Sequence, residues 1–293
     1  MVISIVFFLQ DLPVYGTAFS PSLTQSLGMS KGTAITADSN GIVTFIKNPA
    51  AVTTIDRPQL QTTYTNQYAG TVHHTRITWG KPLNRYIGIA MSLPMQTIYN
   101  IPKTITNANT NRAQQVGAFN DYSTTPVIAV GARLGNLSLG TSFHYNIQSI
   151  DSETGHGFAF GIGARYTTHN LSIGGSIQQL MGQRTWQSGR KETDQPIYHL
   201  GTAINLPVGE FLADMNYHTT PYADAQKFMF NMGYSATLHQ MLDLQIGIKD
   251  VSKERYIGAG LNLRLSKTTT LHYTYAQHHV LGQHHIMGLT YAY

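Results

Sequence analysis

A two-residue alternation runs through this chain in blocks of roughly ten residues, from Gln59 to Tyr293. Leu137, Leu139, Phe143 and Tyr145 alternate with Ser138, Gly140, Ser142 and His144. Phe158, Phe160, Ile162, Ala164 and Tyr166 alternate with Gly157, Ala159, Gly161, Gly163 and Arg165. The same rhythm recurs around Phe211–Tyr217, Leu242–Ile248 and Ile257–Leu265. A helix would bring its apolar residues back at a period near 3.6; these segments do not. Alternation puts every apolar side chain on one face of an extended strand, so the chain must fold into sheets with one greasy face and one polar face.

The blocks number about 14, a plausible strand count for a membrane barrel. They begin near Gln59, Thr71, Arg85, Thr124, Leu137, His156, Leu171, Pro196, Glu210, Lys227, Met241, Arg255, Thr269 and His284. Each even-numbered block is followed by a tight turn, such as Leu134-Gly135-Asn136 or Thr168-His169-Asn170. Most odd-numbered blocks are followed by something longer: Pro94 to Ser123, Met181 to Gln195, Ser149 to Gly155 and Thr219 to Gln226. Short turns on one side and long loops on the other are the parity of an outer-membrane barrel, with the short side facing the periplasm. In hydrocarbon each backbone N–H and C=O must find a partner within the protein, so such a sheet must close on itself. The expected fold is all-β: a 14-stranded antiparallel transmembrane β-barrel with an N-terminal plug, set in the outer membrane of a Gram-negative bacterium.

Composition agrees with a membrane barrel. Only 11% of the 293 residues are charged, against roughly a quarter in a soluble domain. There is no cysteine, which excludes a disulfide framework and a thiolate metal site. The net charge of +5 comes from residues scattered along the chain. No basic run marks a nucleic-acid partner. Eleven tyrosines fall in or near the blocks, at 68, 86, 145, 166, 217, 234, 256, 273, 275, 291 and 293, and several are expected in interfacial girdles.

The chain divides into three stretches. Residues 1–18 have an apolar core, Val2–Leu9, and small residues at Gly16 and Ala18, as in a secretory signal peptide, although no basic residue precedes the core. Residues 59–293 form the barrel. Residues 19–58 hold small residues and turn chemistry but no spanning strand, and they are expected to fill the bore. The stretch SLGMSKGTAITADSNGIVTFIKNPAAV resembles the N-terminal hatch of the FadL-like outer-membrane barrels, including their PorV- and PorQ-type relatives of the type IX secretion system. Gly28, Met29, Asp38, Asn48, Pro49 and Ala50 carry the resemblance. Ser39 stands where the pattern has a second acid, and Ser30 and Lys31 replace its small residues. The resemblance implies a hatch-occluded barrel. In one branch a secreted client or an envelope partner is handled or scaffolded; in the other a hydrophobic small molecule, such as a long-chain fatty acid, passes. The modest outer loops favour the PorV/PorQ-type secretion or scaffold role, with hatch-gated transport as the alternative.

Little else in the chain suggests chemistry. His278-His279 and His284-His285 offer four imidazoles on one outer loop, but neighbours in an extended chain point to opposite faces and do not converge on a metal. Ser142 and His144 share the inward register without an acidic third member, and no catalytic or cofactor motif is present. The expectation is a non-enzymatic protein without a cofactor. Arg76, Arg133, Arg165, Arg264, Asp214 and Asp243 are expected to face the lumen, where a charge needs a partner. Partners are membrane lipid, a secretion-system subunit or secreted client, and a hydrophobic ligand.

Overall fold

The computed structural model describes residues 26–67, 70–107, 112–219, 228–251, 256–278 and 282–293. The signal-peptide reading, Tyr68 and His279 lie outside them.

Sixteen strands follow one another: β1 (Gln59–Gln67), β2 (Val72–Pro82), β3 (Ile87–Asn107), β4 (Arg112–Thr124), β5 (Val127–Leu134), β6 (Leu137–Ile150), β7 (Glu153–Thr167), β8 (Leu171–Trp186), β9 (Lys191–Thr193), β10 (Ile197–Leu206), β11 (Gly209–His218), β12 (Phe228–His239), β13 (Leu242–Lys249), β14 (Tyr256–Arg264), β15 (Thr269–His278) and β16 (Gly282–Ala292). β4 and β5 both pair with β3 and β6, and β9 and β10 both pair with β8. Each couple is therefore one wall strand, interrupted at Pro126 or Pro196, where proline removes a ladder donor. Fourteen wall strands remain. All neighbours are antiparallel, and β1 pairs with β16 from Gln59↔Ala292 to Asn66↔His285, which closes the cylinder. Among the described residues no helix is long and apolar enough to cross a membrane; the strands make the crossing.

The alternation is turned inside out relative to a soluble protein. Leu139, Phe143, Phe160 and Ile162 are exposed on the outer surface, while Ser138, Ser142, His144 and Asn146 are buried within. Exposed Tyr86, Tyr166, Tyr291 and Tyr293 lie toward the turn end of their strands, and exposed Tyr64, Tyr99, Tyr122 and Tyr145 lie toward the other end. An apolar belt between two aromatic rings is what a bilayer requires. The connections at one end are two to four residues long, from Leu83–Tyr86 through Leu265–Thr268. Both ends of the wall lie there too.

The opposite rim differs from expectation on one side. Pro94–Ser123 is not a loop: β3 continues to Asn107 and β4 begins at Arg112, and the two pair up to Asn107↔Arg112. Likewise β8 runs to Trp186 and β9 lies within the expected Met181–Gln195 loop. Beyond the wall neither face of such a ribbon is covered, as at Ile105 and Val116, so no alternation of apolar residues announces it.

Candidate functional site

Residues 26–56 run along the inward register of the strands. The stretch comprises a 3-10 turn at Ser26–Lys31, a one-turn helix α1 (Gly41–Thr44) and a second 3-10 turn at Pro49–Thr54. The first turn packs against β12–β16 and β1, the last against β2, β3, β5, β6 and β7. The Asn48-Pro49-Ala50 step shows why these residue types stand together. The Asn48 side chain accepts from the Ala50 N–H at 3.1 Å and so caps the turn, and Pro49 supplies a preset first position. Asn48 Nδ2 also donates to Thr36 O at 2.9 Å and to Ala164 O on β7 at 3.1 Å, tying the segment to itself and to the wall. Ala50 is fully buried, and a Cβ added at Gly140 would strike Pro49 and Ala50 backbone atoms.

The same close fit recurs around the bore. A side chain at Gly163 would overlap Asn48, at Gly247 the Lys31–Gly32 peptide, and at Gly258 the Met29 carbonyl oxygen. Gly28 accepts the Thr33 N–H at 2.7 Å, and Met29 is buried in an apolar cluster. Asp38 pairs with Lys31 at 2.9 Å and accepts from the Asn40 N–H at 3.0 Å.

Of the expected lumenal charges, Asp214 takes the central place. Its Oδ2 accepts from Lys47 Nζ at 2.7 Å, Thr36 Oγ1 at 2.7 Å and the Thr36 N–H at 3.0 Å, with the Lys47 and Asp214 side chains only 2% and 0% exposed. Lys47 Nζ also donates to Thr33 O, while Ser176 and Gln178 of β8 donate to the Lys47 carbonyl. Sequence reasoning missed Lys31 and Lys47. A lysine inside the apolar run Ile42–Ala51 was the available signal, because a cation there demands a carboxylate. Asp243 and Arg264 pair with each other at 2.6 Å near the turn end. Arg76 and Arg165 are buried, whereas Arg133 is exposed at that end of β5.

The His284-His285 pair splits. His284 faces inward beside Tyr256 with His278, and His285 faces outward, bonded to the Tyr273 hydroxyl at 2.9 Å. Among the described residues no three ligand-type side chains gather as a metal site would need. Ser142 Oγ and His144 Nε2 stand 2.9 Å apart, buried within the wall's inner face.

Two cavities open at the turn end, beside the foot of the segment. One, about 450 Å³, lies against β2, β3, β5 and β7; the other, about 240 Å³, lies against β13–β16. Between the two mouths of the barrel, Met29, Ile35, Ile42, Val43, Phe45, Ile46, Val52 and Ile55 form an apolar cluster with Ala90, Val127, Ala129, Ala276 and Ile286 of the wall.

This arrangement of a closed wall around an inner segment can be compared with known structures. The toluene transporter TbuX of Ralstonia pickettii superposes with a TM-score of 0.66 at 10% identity, over 92% of this chain and 98% of that one. The P. putida toluene transporter TodX gives 0.66 at 12% identity, over 92% and 98%. A Pseudomonas aeruginosa FadL homologue gives 0.58 at 11% identity, over 96% and 99%. The chain has the FadL-type barrel fold. No protein-family model and no curated protein sequence matches it. A closed cylinder with an apolar jacket spans a membrane, and its setting is the outer membrane of a Gram-negative bacterium.

Proposed function

We propose that this FadL-type barrel carries small hydrophobic molecules across the outer membrane, with residues 26–58 acting as the hatch. One observation carries the reading: a large apolar cluster lies inside a bore whose inward register is otherwise mostly polar or glycine, with a few small or scattered apolar residues such as Ala203 and Leu212. A filled water channel would have no use for Ile35, Phe45 and Ile46 in that position. The toluene transport named for TbuX and TodX supports the same class of cargo. Passage requires the hatch to shift. The Asp214–Lys47 bond and the glycine seats are then the contacts that hold the closed state.

The test is uptake. In a Gram-negative strain lacking its own long-chain fatty-acid channel, this protein should restore growth on oleate or sensitivity to toluene. The chain has no cysteine, and Thr53 Oγ1 lies 2.8 Å from Ser138 Oγ of β6. A Thr53→Cys/Ser138→Cys pair can therefore fasten the hatch to the wall. Uptake should stop when the pair is oxidised and return on reduction. No uptake by the unmodified protein ends the transport reading; unchanged uptake in the oxidised pair ends the gating part.

A second reading, a PorV/PorQ-type scaffold for a secreted client or secretion-system subunit, rests on the β3–β4 ribbon. It stands beyond the wall with Ile105 and Val116 about half exposed. Deleting its outer part should spare uptake under the first reading and abolish client capture under the second.

A further inference from the structure

We infer that the larger cavity at the periplasmic mouth binds the oxyanion head of an amphiphile, a carboxylate or a phosphate attached to an apolar tail. The turn between β2 and β3 builds one wall of this cavity. Asn84 Oδ1 accepts from the N–H groups of Tyr86 and Ile87 at 2.8 and 2.9 Å, which fixes the turn and presents Arg85, whose guanidinium lies 4.5 Å over the Tyr86 ring. Arg133 arrives from the end of β5, held by its backbone N–H to Tyr86 O at 2.7 Å. Arg165 comes from the inward register of β7. Three guanidinium groups thus line one cavity of about 450 Å³, with Asp56 the one carboxylate among its lining residues.

None of the three arginines makes an ion pair with a described residue. Arg165 is only 4% exposed; it donates one bond, from Nη2 to Ser172 Oγ at 3.1 Å, and its Nε has no hydrogen-bond partner among the described residues. Two carboxylates act on Arg165 from beyond ion-pair distance: Asp38, already engaged by Lys31 and the Asn40 N–H, and Glu210, shared with Lys31 and bonded to Ser39. A buried guanidinium in contact with neither of them, beside two more cations, is a costly arrangement that a bound oxyanion would relieve. Guanidinium forks suit carboxylate and phosphate oxygens geometrically. The smaller cavity differs, because its Arg264 is already paired with Asp243.

Size and lining decide between a bare anion and an amphiphile. The cavity lies within the roughly 300–1,000 Å³ of small-molecule sites, far more than one phosphate fills. Ile55, Ile87, Pro82 and the Tyr86 ring supply apolar surface next to the arginines. Ile55 also belongs to the apolar cluster in the bore, so head and tail have continuous, chemically matched surfaces. As a station where cargo leaves the bore, the site rests on the transport reading; as a binding site it stands apart from it.

The experiment uses the full barrel in nanodiscs, titrated with octanoate, octyl phosphate, octanol and inorganic phosphate. Octanoate and octyl phosphate should bind about tenfold or more tighter than octanol, as expected for charge-assisted bonds. The Arg85→Gln/Arg133→Gln variant alters only exposed side chains; it should lose that margin while octanol binding stays unchanged. Arg165→Gln should lose it as well. Equal binding of octanol and octanoate, or an unchanged margin in the double variant, overturns the site. Inorganic phosphate binding as tightly as octyl phosphate overturns the amphiphile and assigns the arginines to a free anion. Uptake is read separately in cells. Lost binding with intact uptake removes this site alone, and intact binding without uptake removes the transport reading alone.

Discussion

The inner segment is held differently on two sides of the bore. Against β7, β8 and β11 it is bonded: Lys47 and Thr36 to Asp214, Asn48 to Ala164 O, Ser176 and Gln178 to the Lys47 carbonyl. Against β12, β13 and β14 it is mainly seated: Gly233, Gly247 and Gly258 leave no room for a side chain between wall and segment backbone, as Gly163 and Gly174 do on the bonded side, while the cross-bonds are fewer, Ser30 to Gln245 and Asn231 to Thr33. Directional bonds fix where the segment lies, and a glycine seat fixes how near it comes. The first kind fails when a partner is removed, the second when an atom is added.

Three substitutions separate these modes, each read by urea unfolding in lipid vesicles through the two tryptophans and by tryptic cleavage at residue 31 or 47. The largest effect belongs to Asp214→Ala, which leaves the buried Lys47 ammonium uncompensated and should cost about 3–5 kcal/mol. Lys47→Met combined with Asp214→Leu should recover most of that loss. If the double substitution is as damaged as the single, the bonds and not the charge were decisive. Next, Gly258→Val forces a side chain into the Met29 carbonyl and should cost about 1–3 kcal/mol as overpacking. Its signature is early cleavage after Lys31, because the segment lifts from its seat on that side. A stable protein with a protected Lys31 would show that the seat has slack. The smallest is Ser176→Ala, which removes one hydroxyl bond to a carbonyl also served by Gln178 and should cost about 1 kcal/mol. A loss as large as that of Asp214→Ala would mean that the bonded side acts as one cooperative unit.

The wall was legible because lipid enforces a strict period: wherever one face meets hydrocarbon and the other meets the bore, the alternation is written residue by residue. That rule stops at the membrane surface. Thr104–Asn107 and Arg112–Gln115 pair as strands in water, without a greasy face, and so read as a loop. The turn at Asn48-Pro49-Ala50 was legible in the inner segment, because capping, a preset first position and minimal bulk coincide there. The segment's anchors were not. Asp214 was chosen as a lumenal acid, but its partner is a lysine far earlier in the chain, and no local pattern links the two. The mouth was legible in part. Arg133 and Arg165 sit on inward registers, whereas Arg85 belongs to a turn, where register gives no direction.

The seam between β1 and β16 joins the strands most distant in sequence. Gln59 pairs with Ala292, so the joint that shuts the ring has the greatest span of any pairing in the wall and the largest loop-closure cost. The segment leading directly into β1 is meanwhile tied to β7, β8 and β11, which lie across the circumference from that joint. One stretch of chain thus touches strands on opposite sides of the ring, so the contacts that set the width of the bore and the joint that closes it share a single connecting segment.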